Sequence, residues 1–167
     1  MKNLTKLIIV IILNTFVFES FAQAVKILIQ ENASISITNF TAKYQAGGSS
    51  RYISEGIRFD VEFSNNSNQD IVAYALGFYA FDVFNRSLGR PLEGFSVSTI
   101  KTGSSSSGAW VQRLSSPSLF EKYGTGIAYV ARIRFADGTI WNYNPANILK
   151  QLQEFEESLT LDDLKSE

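Results

Sequence analysis

The chain has 167 residues, no cysteine, no histidine and a formal net charge of −1. Those absences remove zinc sites of the Cys/His kind, Ser-His-Asp and Cys-His nucleophile systems and any disulfide staple, and so small a charge gives no basic footprint for nucleic acid. Thirteen Phe, seven Tyr and two Trp supply the alternative, a core held by packing, in which each buried aromatic removes about 150–250 Å² from water.

Residues 1–24 read as a secretory signal peptide. Lys2 and Lys6 precede an apolar run over 7–13 that resumes at 16–18, and Ala22-Gln23-Ala24 puts small residues at the two positions a signal peptidase reads. The run is shorter than the roughly 20 residues that cross a bilayer. Cleavage after Ala24 is expected, delivering a soluble mature chain without a membrane span to the periplasm or the extracellular medium. The remainder is the size of one domain: a β-sandwich over 25–143 and a C-terminal helical segment over 144–167 packed on it.

Alternation of polar and apolar residues predicts strands over 25–29 and 35–44, parted by the turn-prone Glu31-Asn32-Ala33-Ser34, with a break at 47–50. Over 57–63 the pattern is one-sided, Ile57, Phe59, Val61 and Phe63 against Arg58, Asp60 and Glu62. The polar run 64–70 lacks the spacing of a calcium loop and is expected to be a plain hairpin connection. Residues 71–84 are apolar on both faces, which predicts a central strand flanked by neighbours and covered above and below. Alternation resumes over 95–100, and four serines between Gly103 and Gly108 predict a mobile loop. Ser116-Pro117 carries the cap-then-proline signature of a short helix ended by Gly124. Residues 127–135 form another one-sided strand. Asp137-Gly138 then predicts a type I′ hairpin that pairs 140–143 straight back.

Asn144-Pro145 repeats the helix-start signature, and Ile148, Leu149, Leu152 and Phe155 recur at helical spacing. This amphipathic C-terminal helix is expected to lie on the edge or open end of the sandwich. Thr160 is placed to cap a further turn or two, with Asp162 and Asp163 near its positive end. Lys150 and Lys165 stand against Glu154, Glu156, Glu157, Asp162, Asp163 and Glu167 in this stretch, a charge pattern that reads as a solvated helix face.

Candidate sites are few. Ser98-Thr99-Ile100-Lys101 and Lys101-Thr102-Gly103 match two penicillin-binding motifs, but one Lys101 would have to serve both, and the third element is missing. Asp60 and Glu62 share a strand face about 7 Å apart, a spacing a carboxylate hydrolase could use and also the ordinary wet side of a strand. Asp82 is a charge inside an apolar run and needs a partner; Arg132 or Arg134 are the expected ones, in a structural ion pair. Trp110, Trp141 and Tyr143 could line a glycan platform, or serve burial. No catalytic residue, metal or cofactor is assigned.

Phe81-Asp82, Gly89, Trp110 and the closing string from Val130 to Trp141 resemble a group of small exported bacterial domains with an immunoglobulin-like β-sandwich, including the FxLYD domains. The resemblance covers about 71–152 and implies a mainly β, antiparallel sandwich outside the cytoplasm, with no assigned activity. The expected function is a non-catalytic protein-binding module that docks an unknown partner in the cell envelope or outside the cell through a sheet edge, a loop end or the C-terminal helix, no nucleic acid being involved. A glycan- or peptidoglycan-binding domain and a histidine-free hydrolase are the alternatives.

Overall fold

A computed structural model describes residues 24–47, 55–113 and 122–165. Their architecture is two β-sheets face to face with a helix on the outer face of one. The strands are β1 (Ala24–Ile27), β2 (Ile35–Gln45), β3 (Gly56–Asn65), β4 (Ile71–Asp82), β5 (Leu92–Ser96), β6 (Ser105–Gln112), β7 (Tyr123–Phe135) and β8 (Ile140–Asn142), followed by α1 (Pro145–Leu152) and a 3-10 turn (Leu161–Leu164). The first sheet has the order β1-β7-β4-β5, with β8 also on β7; the second has the order β2-β3-β6. Every pairing between these strands is antiparallel except β1 with β7, which is parallel.

The one-sided pattern of β3 has the meaning its sequence implies. Ile57, Phe59, Val61 and Phe63 are buried and meet Tyr74, Leu76 and Phe78 of β4. Phe59 stacks on Phe78 with ring centroids 4.8 Å apart, and Phe63 meets Tyr74 edge-on at 4.9 Å. The other face of β4 carries Tyr79 and Phe81, which join Ile127 and Tyr129 of β7 beneath Ile148, Leu152, Leu159 and Leu164. The two-sided apolarity of residues 71–82 therefore has two causes, a second sheet on one side and a helix on the other. Helix α1 starts where Asn144 accepts the Ala146 N–H, with proline in the first turn. It lies across the face of the first sheet rather than on an edge or open end, because Tyr79, Phe81 and Tyr129 need cover there.

Other expectations change. The run 64–70 is no hairpin, since it carries the chain from β3 in one sheet to β4 in the other. Asn65 anchors this corner: wholly buried, it donates to the carbonyls of Gln69 and Ile100 and accepts from the Ser67 N–H and hydroxyl. Three of the four serines expected in a mobile loop, 105–107, belong to β6, paired with β3 along its length, so backbone pairing overrides a composition poor in β-formers. The strand expected over 95–100 ends at Ser96, and Ile100 returns only as a single bridge to Ile71.

At Asp137-Gly138 the chain does turn back, but only Gly138 has positive φ, +89°. Gly138 N–H bonds to the Phe135 carbonyl and Phe135 N–H to Thr139, the pattern of a three-residue loop with glycine in the left-handed position instead of type I′. Residues 1–23 of the expected leader, most of the break at 47–50 and the helix start at Ser116-Pro117 lie outside the described residues; Ala24, the last residue of that leader, opens β1, and Gly124, expected to end the helix, belongs to β7.

The sheet and helix layers also require a close approach. The Tyr129 ring lies where a Cβ on Gly77 would stand, so ring and backbone of adjacent strands touch. Gly77→Ala is expected to lower unfolding free energy by about 1–3 kcal/mol through overpacking. Urea denaturation checks this.

Candidate functional site

The three residues considered for a glycan platform are not brought together. Trp110, on β6, packs on Phe78 at 5.4 Å and lies over Gly94 of β5 and Gly108 of its own strand. Trp141 is on β8, beyond β7 at the other side of the first sheet. Strands β4 and β7 thus separate the two indoles, and both pack against the core between the sheets. Tyr143 turns to the opposite face, beneath the helix layer, 5.4 Å from Tyr129. Burial raises its phenol pKa, and does the same to Tyr129.

The expected ion pair of Asp82 with Arg132 or Arg134 does not form. Asp82 is buried opposite Tyr123, whereas Arg132 sits opposite Ala75, roughly 23 Å away along β4 at about 3.3 Å per residue. The carboxylate instead accepts the backbone N–H groups of Phe84 and Arg86, each at 2.8 Å, and so closes the turn after β4. Arg132 reaches across β4 to Glu93 of β5 at 3.5 Å. Arg134 is exposed opposite Ala73.

Of the remaining chemical candidates, Glu62 is exposed on β3 opposite Ser107, while Asp60 and Lys101 are in ion pairs. Asp60 is held by Arg58 of the same strand, with the shortest contact at 2.7 Å. Lys101, the lysine of both motif fragments, binds Asp70 at 2.7 Å, and the Thr102 N–H adds a second bond to that carboxylate. These bonds hold the Asp70 carboxyl below the usual carboxylate range, the Lys101 bond being the larger cause. Among the described residues no group of three or more acidic side chains is arranged to hold a metal ion.

A cleft of about 220 Å³ opens between β1 and β2, lined by Ile27, Ile29, Ala33, Ile35 and Ile37 with Gln30. Its polar side chains, Gln30 and Ser36, are already used. The Gln30 amide spans Val130, accepting its N–H at 2.6 Å and donating to its carbonyl at 2.8 Å, and Ser36 accepts from Asn66. Such a cleft offers little to orient a small polar ligand.

The edges of the first sheet differ. Along the outer side of β7, β1 pairs with 125–128, Gln30 with Val130, the Tyr143 N–H with the Ala131 carbonyl, and β8 with 132–134. Beyond β1, Ile29 is closed in turn by Gln151 of α1, whose amide accepts its N–H at 3.0 Å and donates to its carbonyl at 2.9 Å. On the far side, among the described residues, β5 pairs with β4 alone. Phe95 is 75% exposed and Val97, just past the strand, 82%. Sequence reading offered a sheet edge as one docking route without singling out this one; its signal was the run from Gly94 to Ile100, which holds neither a charge nor a proline.

No family model matches the chain, and no curated protein matches it. Among solved structures, a hypothetical protein from Peptoclostridium difficile 630 superposes with a TM-score of 0.52 at 14% identity, covering 75% of this chain and 93% of that one. The Northeast Structural Genomics Consortium target SoR45 superposes at 0.43 and 15% identity, over 65% and 80%. The first likeness concerns the fold alone.

Two outcomes test these assignments. Asp82→Ala is expected to cost about 1–3 kcal/mol by stripping two backbone donors of their acceptor, while Arg132→Ala, at an exposed pair, stays within about 1 kcal/mol of the parent. Chemical denaturation of both variants decides it. Because the folded-state pKa of Asp70 is depressed, its contribution is present above the ordinary carboxylate pKa and fades as pH falls through the folded value. Asp70→Asn is therefore less stable than the parent at neutral pH, and thermal melts of the two converge in strong acid.

Proposed function

We propose that this chain is a non-catalytic binding module, exported with its leader removed after Ala24, that takes an extended polypeptide segment by strand addition to β5. The observation that carries the reading is the contrast between the two sides of the first sheet. The β7 side is closed by β1, β8 and a glutamine amide, while β5, among the described residues, pairs with β4 alone and carries the exposed Phe95, with the exposed Val97 just past it. Edges are ordinarily blunted by lysine, proline, a bulge or shortness. Strand β2 follows that practice with a bulge at Ile37/Asn39 and with Lys43, and β1 and β8 are short. The edge strand β6 is long, but serine, glycine and alanine dominate it and give a partner little apolar surface.

Several features support the non-catalytic part. Histidine and cysteine are absent, Asp60 and Lys101 are in ion pairs, and Asp82 closes a turn. The FxLYD-like resemblance and the leader pattern support an address in the periplasm or outside the cell. A glycan-binding alternative is weakened by the separation of Trp110 from Trp141.

The test is site-specific photocrosslinking in the producing cell. A photoreactive residue at position 97 is expected to give a discrete polypeptide adduct, and one at position 62, exposed on the outer face of the second sheet, to give none. Equal labelling at both, or none at 97, overturns the reading.

A further inference from the structure

We infer that the β5 edge takes the β5 edge of a second copy of this chain, antiparallel and centred on Ser96, so that one sheet runs through a two-fold dimer. This names the partner for the strand-addition reading above and rests on it.

The edge has the composition of a self-pairing segment. From Gly94 to Ile100 the chain reads Gly-Phe-Ser-Val-Ser-Thr-Ile, uncharged, without proline and with β-branched residues at three of its last four positions. Uncharged edges meet without like-charge repulsion, whereas a charged foreign strand would find no counter-charge along these seven residues. The nearest charge, Glu93, already lies 3.5 Å from Arg132 within its own sheet.

Side-chain matching selects the register. Antiparallel pairing about a two-fold axis places opposite one another residues equidistant from the centre. Centred on Ser96, Phe95 faces Val97 of the second copy, and Val97 faces Phe95. Both side chains that the isolated chain leaves in water are then covered by reciprocal aromatic–β-branched pairs, each worth roughly 0.2–1 kcal/mol beyond an alanine pair. Glu93 falls opposite Thr99. With Phe95 at the centre, Val97 would face Glu93; with Val97 at the centre, Phe95 would face Thr99. Each alternative wastes one apolar side chain on a polar neighbour. One short strand pair makes a small interface, below about 1,200 Å², so the dimer is reversible and concentration-dependent.

Since the chain has no cysteine, a single introduced one reports the register unambiguously. In the mature protein, Ser96→Cys brings two Cα atoms to about 4.5–5.5 Å, within reach of a disulfide. Ser98→Cys leaves them about 13 Å apart, beyond reach. Mild oxidation is expected to convert the first variant largely to a covalent dimer and to leave the second monomeric. Adding Phe95→Lys and Val97→Lys to Ser96→Cys should abolish cross-linking without changing the circular dichroism spectrum, both side chains being exposed. The unmodified mature chain should sediment as a dimer that dissociates on dilution.

Equal cross-linking at 96 and 98 overturns the proposal, as does a parent chain that stays monomeric at every concentration. In that event, an adduct from position 97 to a different polypeptide preserves strand addition and removes only this partner; the absence of any adduct removes both.

Discussion

Burial of β4 on every side is the constraint from which the rest of the structure follows. Its backbone is paired with β7 along one edge and β5 along the other, its inner face meets β3, and its outer face lies under the helix layer. Full burial of each large apolar side chain is worth about 1.5–3 kcal/mol, and Leu76, Phe78, Tyr79 and Phe81 are all buried within one short stretch. That concentration explains how a domain without cysteine dispenses with covalent staples. It also explains the glycine at position 77, the point where an aromatic ring of β7 must lie flat on the β4 backbone.

A sheet built around one central strand still has to finish somewhere, and the two ends are treated differently. On the β7 side, side-chain amides replace missing main chain: Gln30 serves Val130 as a strand would, and Gln151 does the same for Ile29. Each supplies one donor and one acceptor with the geometry of a peptide group. The same device ties α1 to the N-terminal strand, joining residues more than a hundred apart in sequence. The β5 side receives no such treatment, and its exposed Phe95 and Val97 are the surface from which the functional reading grows.

Four carboxylates in this molecule close turns and corners. Asp82, Asp70 and Asp137 each accept backbone N–H groups in connections between strands, and Asp163 does so at the 3-10 turn with Thr160. A carboxylate used in this way is held by donors from its own locality, which leaves it poorly placed for acid–base chemistry. Asp60 and Lys101, by contrast, are held in side-chain ion pairs, with Arg58 and Asp70 respectively.

Local chemistry determined a good deal by itself. The one-sided alternation of β3, the two-sided apolarity of β4, the Asn144-Pro145 helix start and the Thr160 cap all express short-range periodicity or hydrogen bonding, and each appears where those rules put it. Tertiary structure alone decided the parallel seat of β1, the crossing from β3 to β4, the pairing that makes a strand of the serine run and the position of the helix on a sheet face. It also decided the partner of Asp82 and the separation of Trp110 from Trp141. The physical reason is common to these cases: register and strand order depend on which surfaces meet between distant segments, and a periodic pattern records which way a side chain points without recording what it points at. The bare β5 edge belongs to the same class, because a strand's own residues are written in its sequence, while the neighbour it lacks is a property of the whole fold.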